Sequence, residues 1–429
     1  MITSPAFAGK KYAVLGLARS GAATVEALLA SGAEVVAWDR QDHMRGPFEG
    51  RVTLADPLEI DLSGFAGVVV SPGVPLNAHP IAGHAAKYGV PVIGDIELFA
   101  QARASLPPHK VVGITGTNGK STTTALVTHI LKTAGVPAEM GGNIGIPIME
   151  EAPLPAGGVY VLELSSYQID LTFSLDCDVA VLLNITPDHL DRYDGSFEKY
   201  AASKRRLFEM SSGTHVSGRE DAPPLPDAPS LQGPHNAQNA AAASEVCHAL
   251  GIAAGTIEQA MGTFTGLPHR MERVAEHNGV LFVNDSKATN TDSTAPALAA
   301  YPPDSAINNG APRIHWIVGG LPKEDGLGPC EEHLNNVAAA YTIGEAGPRF
   351  AELLAPLLPV ERAELMCEAV QRAMAKARPG EVILLSPACA SFDQFRDYEK
   401  RGEYFRQLVA AFTGAPEDIQ TALAEGGCA

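Results

Sequence analysis

The segment Lys110–Thr124, KVVGITGTNGKSTTT, admits few folds. Val111, Val112 and Ile114 form a strand-like run that breaks into Gly116-Thr117-Asn118-Gly119. After Lys120, Ser121 and Thr122 the apolar residues Leu126, Ile130 and Leu131 share one helical face. Strand, glycine-rich turn and helix in that order make a phosphate loop. The glycines let backbone N–H groups turn inward, and the helix start adds its partial positive charge. Lys120 has the reach for β- and γ-phosphates, while the Ser121 or Thr122 hydroxyl suits Mg²⁺. The strict loop pattern wants a glycine five residues before Gly119, where this chain has Ile114. Gly113 and Gly116 flank that position, so the mechanics survive. A chance turn is the competing reading, and Gly-Lys-Ser-Thr directly after a strand weighs against it. Binding of ATP or GTP is expected.

The loop sits in a longer alternation of strand and helix signals, which implies parallel sheets with ligands at the strand C-termini. Residues 1–105 offer strands at Tyr12–Leu15, Glu34–Trp38, Val68–Val70 and Val90–Ile93. The first turn, Gly16-Leu17-Ala18-Arg19-Ser20-Gly21, imitates a dinucleotide fingerprint but carries Ala18 where the middle glycine would admit a pyrophosphate. Asp39 is placed like the ribose-binding acid of such folds. NAD, a nucleotide-diphosphate substrate and a purely structural turn stay open, with the second favoured. Residues 106–267 hold the phosphate loop and two buried strands, Val159–Leu164 and Val179–Leu183. Glu163 lies at the end of the first and His189 beyond the second, on the edge where a nucleotide-bound Mg²⁺ would sit. Lys204-Arg205-Arg206 reads by itself as a solvated helix face, and 211–234 as loop. His235-Asn236-Ala237-Gln238-Asn239 opens an alanine-rich helix, its asparagines suited to an adenine edge. Residues 268–429 add strands at Gly279–Val283, Ile314–Val318 and Glu381–Leu385, each running into small, polar or charged residues. Gly414–Ala429 reads as a loosely held tail. The fold expected is α/β with three domains: a Rossmann-like first domain, a central P-loop domain and a Rossmann-like C-terminal domain.

Composition narrows the partners. With 31 basic against 49 acidic residues the net charge is −18, which argues against nucleic acid. Six scattered cysteines with no Cys-x-x-Cys pair suit a reducing compartment. No apolar run reaches the ~18 residues of a membrane span, so no membrane insertion and a cytoplasmic location are expected.

Read together, GLARSG, GNIG, LELSSYQ, TPDHLDRY, GLPHR, NDSKATN and SPACASFDQF resemble the Mur ligase family over almost the whole chain. The phosphate loop alone would not separate that family from folylpolyglutamate-type relatives; NDSKATN and SPACASFDQF are more specific. The resemblance is greatest to the family's D-glutamate-adding branch. It implies an ATP-dependent amide ligase that extends UDP-N-acetylmuramoyl-L-alanine with D-glutamate through an acyl phosphate, acting as a monomer. It also implies the roles. Gly116, Thr117, Asn118, Gly119, Lys120, Ser121 and Thr122 would bind ATP phosphates, and Asn239, Arg270 and Asp285 would meet adenine, phosphate and ribose. Ser121, Glu163, His189 and a carbamoylated Lys204 would hold two Mg²⁺ ions. Asp39 and Arg40 would meet the uracil end, Asn143, Ser165 and Gln168 the muramoyl-alanine end. Lys287, Thr289, Lys323, Ser391 and Tyr398 would surround D-glutamate. Two departures stand in that last group: Leu321 occupies the place of an acid, and Tyr398 that of a phenylalanine. The 211–234 segment is also shorter than the family's, which suggests pared-down strands. An NAD-dependent oxidoreductase and a non-catalytic nucleotide sensor remain the alternatives. Ala18 speaks against the first, and the joint presence of Glu163, His189 and Lys204 against the second.

Overall fold

The computed structural model describes residues 1–414 apart from 220, 224–227, 229, 232 and 324. The tail expected at Gly414–Ala429 lies outside the described residues beyond its first glycine.

Three sheets organise the chain. In the first, β1 (Lys11–Leu15), β2 (Glu34–Trp38), β3 (Thr53–Leu54), β4 (Phe65–Val70) and β5 (Val92–Ile93) run parallel in the order β3-β2-β1-β4-β5. The order reverses beside β1, so the loops after β1 and β4 open a crevice there. Pro91, which has no N–H to give a ladder, accounts for β5 starting at Val92 rather than Val90; its carbonyl still accepts from Val68. The second sheet has β6 (His109–Thr115), β7 (Ala138–Gly142), β8 (Gly158–Glu163), β9 (Val179–Leu182) and β10 (Thr214–Ser217), again all parallel, in the order β10-β9-β6-β8-β7. The phosphate loop leaves its central strand. The segment expected as loop at 211–234 carries β10, and the helix Pro234–Ala249 opens at its end.

The third sheet runs β11 (Glu272–His277), β12 (Val280–Asn284), β16 (Val382–Leu385), β13 (Ile314–Gly319), β14 (Val337–Ile343), β15 (Val360–Glu364). Only β11 is antiparallel to its neighbour. Its strands β12, β13 and β16 are the three expected from the sequence.

The chain divides into two compact units. One comprises Met1–Pro223 with Gln238–Gly262, and the other the described residues of Pro224–Ala237 and Thr263–Ala429. The first two sheets share the first unit because they share a core. Ile96, Leu98, Phe99 and Ala102, on the helix Asp95–Ala102 that follows β5, are buried in one cluster with Val111 of β6 and Tyr160 of β8. Phe99 meets Tyr160 edge to face, with ring centroids 5.0 Å apart. From the same helix Glu97, 4% exposed, accepts from the amides of Phe173 (2.6 Å) and Ser174 (2.8 Å) and from the Ser174 hydroxyl (2.7 Å). In the second unit, apolar side chains pack on both faces of the sheet, around Trp316 on one side and Phe282 and Phe405 on the other. Among the described residues no helix is long and apolar enough to cross a membrane.

Candidate active site

The phosphate loop is built as its residues dictate. Gly119 has φ +84°, and a Cβ there would lie 2.1 Å from Oδ1 of Asn239, so only glycine fits. The helix Lys120–Thr133 starts on it. Lys120 Nζ donates to the carbonyls of Gly116 (3.0 Å) and Thr117 (2.8 Å). Lys204 Nζ, buried, donates to the same Gly116 carbonyl at 2.7 Å and lies over the Tyr200 ring. Two ammonium groups thus converge on one oxygen. Burial first, and the Lys120 charge second, push Lys204 down to about 7. Lys204 is therefore no solvated face residue, as its own triplet suggests; Arg205 is exposed, and Arg206 donates to the carbonyls of Ile169 and Thr172.

Glu163 ends β8 and is buried. Its Oε1 accepts from Asn143 Nδ2 (2.9 Å), while Oε2 has no hydrogen-bond partner. A buried carboxylate oxygen without a donor is what a bound cation would satisfy. His189 has φ +51° and a side chain about half exposed, beside Asp188 and the Tyr167 ring. Among the described residues no three His, Cys, Asp or Glu side chains converge as metal ligands. Ser121 is buried at the helix start, with Thr122 half-buried beside it. Asn239 packs beneath the loop, 3.4 Å from the Thr123 hydroxyl. One loop residue of consequence escaped the sequence reading. Asn184, just past β9, accepts from the Asn118 amide (2.8 Å) and donates to the Asn118 carbonyl (3.0 Å), while its own carbonyl accepts from the Thr117 amide (2.9 Å).

A cavity of about 790 Å³ opens at the crevice of the first sheet and gathers Asp39, Arg40, Asn143 and Gln168. Asp39 accepts from the amides of Leu17 (2.7 Å) and Gln41 (2.9 Å), which closes the first turn against the end of β2. Gln168 and Ser165 form the capping box of the helix Ser166–Asp170, so Ser165 is tied to the cavity wall through Gln168. Arg192 spans from the His189 loop, lies over Tyr167 and donates to the carbonyls of Gly73 and Val74 on the cavity side.

In the second unit Lys323 Nζ donates to Thr289 Oγ1 (3.1 Å), and Lys287 Nζ lies 5.7 Å from the Tyr398 ring centre. Ser391 is buried close by in sequence to Ala390, whose backbone pairs in both directions with Leu321 at 2.9 Å. At Gly320 (φ +137°) a Cβ would lie 2.3 Å from the Ala390 carbonyl, which is why the turn before Leu321 needs glycine. Asp285 is buried; its carboxylate accepts from the Met271 amide (3.1 Å) and the Ser386 hydroxyl (2.7 Å). Burial raises it to about 7 against the pull of Ser386 and Arg270. The sequence reading also passed over Arg401. Its buried guanidinium donates to the Ser286 hydroxyl and carbonyl and to the carbonyls of Cys389 and Ala390, fastening NDSKATN to SPACASF.

Two family descriptions match the chain: the Mur ligase middle domain over residues 114–222, and the Mur ligase, glutamate ligase domain over residues 269–389. The chain is 63% identical to the UDP-N-acetylmuramoylalanine–D-glutamate ligase of Novosphingobium aromaticivorans, over 96% of this chain and 97% of that protein. It is 57% identical to the enzyme of the same name from Sphingopyxis alaskensis, over 96% and 99%. Among solved structures, UDP-N-acetylmuramate–alanine ligase of Thermotoga maritima superposes with a TM-score of 0.57 at 16% identity, covering 94% of this chain and 99% of that one; this likeness speaks to fold alone.

Proposed function

The chain belongs to the Mur ligase family, and on that footing we propose that it joins D-glutamate to UDP-N-acetylmuramoyl-L-alanine in peptidoglycan precursor synthesis, converting ATP to ADP and phosphate. The observation that carries this reading into the geometry is the pair of lysines on the Gly116 carbonyl, at the mouth of a phosphate loop. A carboxylate is a poor acyl donor. Its oxygen attacks the γ-phosphorus, the bond to ADP breaks, and an acyl phosphate results. The neutral amine of D-glutamate then attacks the carbonyl carbon; the C–N bond forms, a proton leaves and phosphate departs. Two anions meet in the first step, and Lys120 is placed to offset their repulsion.

The residues present fit a divalent cation through the unpartnered Glu163 Oε2 and the Ser121 hydroxyl, with His189 as a further ligand. Bound there, Mg²⁺ would supply charge neutralisation for the phosphates. Since among the described residues too few side chains converge to hold a metal alone, its remaining ligands would come from the nucleotide and from Lys204 as a carbamate. Carbamate formation needs a neutral amine: the nitrogen adds to CO₂, the N–C bond forms and a proton leaves. A lysine pushed down to about 7 is ready for that step. Two ions, a cytoplasmic location and a monomer complete the reading. So does the assignment of residues 1–105 to the UDP-substrate, 106–267 to ATP and 268–429 to the amino acid. Asp39 and Arg40 take the uracil end; Asn143, Ser165 and Gln168 the muramoyl-alanine; Asn239, Arg270 and Asp285 the nucleoside and its phosphates; Lys287, Thr289, Lys323, Ser391 and Tyr398 the D-glutamate.

The test is phosphate release with ATP, UDP-N-acetylmuramoyl-L-alanine and a panel of L- and D-amino acids. Strong turnover with D-glutamate alone is expected. Comparable turnover with L-glutamate or a diamino acid would sink the reading.

A further inference from the structure

Asp95 opens the helix Asp95–Ala102 and is only 3% exposed. It nevertheless lines the cavity at the first sheet and an adjoining small void bordered by Ser20, Gly21, Thr24 and Ser71. Its Oδ1 accepts from the Ile96 amide (3.0 Å). Its Oδ2 has no hydrogen-bond partner, and neither has the hydroxyl of Thr24 on the wall of the same void. A buried carboxylate needs a cation or several donors. The elements packed around Asp95 do not supply them. The first helix, β1 and β4 bring no charged side chain to the void. Of the charged and titratable groups on the cavity wall (Arg19, Asp39, Arg40 and His79), Arg19 donates to the Gly145 carbonyl and Asp39 to no one, being an acceptor from backbone. On its own helix Glu97 directs its oxygens to Phe173 and Ser174. Burial accordingly raises Asp95 to about 6, opposed only by the amides of Ile96 and of Asp95 itself.

The void borders the first turn of the helix Arg19–Ala30, and Gly16, Ala18 and Ser20 line the cavity. A helix start after such a turn is where a diphosphate binds. An ionised Asp95 would oppose that anion across a medium of low dielectric. We propose that Asp95 is a positioning residue linked to a proton: the seated diphosphate of the UDP-substrate favours its neutral form, so binding this substrate draws a proton from solvent onto its carboxyl. The inference rests on the substrate assignment made above.

The sign follows from linkage. At low pH Asp95 is already neutral and binding takes up nothing. As pH rises the acid ionises in the free protein and must be reprotonated on binding, so affinity falls. A rise of one pKa unit on binding would make the dissociation constant about tenfold weaker at pH 8 than at pH 5, with uptake of about half a proton midway between the two values. The experiment is calorimetric titration of the full-length protein with UDP-N-acetylmuramoyl-L-alanine, without ATP, in buffers of different ionisation enthalpy at several pH values. The unmodified protein, Asp95→Asn and His79→Gln are compared. Uptake that persists in His79→Gln and is lost in Asp95→Asn, together with pH-independent binding by Asp95→Asn, is expected. Binding by the unmodified protein without uptake overturns the inference even if Asp95→Asn does not fold. Uptake lost in His79→Gln and kept in Asp95→Asn overturns it too. No binding at any pH overturns the substrate assignment and this inference with it.

Discussion

Lys204 is a residue whose charge the fold works against. Its folded value of about 7 lies below the ~10.4 of an exposed lysine, so between those values the unfolded chain binds a proton that the native chain does not. Stability contributed through this group therefore rises with pH across that window, and below pH 7 the native state carries the full cost of the buried charge. In CO₂-depleted buffer, urea unfolding should show the unmodified protein gaining stability from pH 7 to 9 relative to Lys204→Met; parallel curves would refute this. Lys204→Met should also lose nearly all ligase activity. Lys323 differs in being exposed, donating to the Thr289 hydroxyl. Removing one charge-assisted hydrogen bond to D-glutamate costs ~1.5–3 kcal/mol, so Lys323→Ala should raise the KM for D-glutamate roughly tenfold or more. The KM values for ATP and the UDP-substrate should stay put; if all three rise, Lys323 is holding the fold. What was legible at this scale was local chemistry. The loop's glycines, lysine and hydroxyls stand in one short run and declare themselves. Lys204 did so only through the family resemblance, because its neighbours in sequence are basic and its contacts, the Gly116 carbonyl and the Tyr200 ring, are not local to the triplet. Asp95 and Arg401 also stayed hidden: nothing next to them in the chain reveals that one keeps a buried oxygen without a partner and the other makes four hydrogen bonds.

At the scale of elements, the phosphate loop is held from the side by the end of β9. Asn184 grips the Asn118 peptide at both its N–H and its C=O. Asn184→Ala would release two neutral hydrogen bonds, each worth ~1 kcal/mol, and let the loop wander. The KM for ATP should rise by roughly tenfold, while binding of the UDP-substrate measured without ATP stays unchanged; equal losses in both would mean that the sheet itself had been damaged. The strands that sequence reading found are those with dense branched apolar runs, such as β4, β6, β8 and β16. Those it missed lack that signature. β7 is AEMGG and owes its place to pairing with β8. β14 is rich in alanine, and β15 carries three charged residues on a sheet edge. Tertiary pairing, absent from any local window, decides all three.

At the scale of the whole molecule, the first two sheets form one body. Glu97 is a principal polar tie between them, and Glu97→Ala would remove three hydrogen bonds at once, those from the amides of Phe173 and Ser174 and from the Ser174 hydroxyl. A loss of about 3 kcal/mol is expected, which lowers the melting temperature of the first unit by roughly 6–12 °C. Calorimetry should show the transition of the second unit unmoved; a shift in both, or in neither, would argue against the tie. The succession of α/β regions was readable from strand spacing, but the fusion of the first two was not. It depends on which face of Asp95–Ala102 turns inward, and that helix is apolar on much of its surface. The same fusion governs how the polypeptide can be dissected. Scissors applied after residue 105 would strand Ile96 and Phe99 on one fragment and Tyr160 on the other, each bared to water and ready to aggregate. A stand-alone reagent that captures the UDP-substrate must therefore keep both sheets on a single piece of chain.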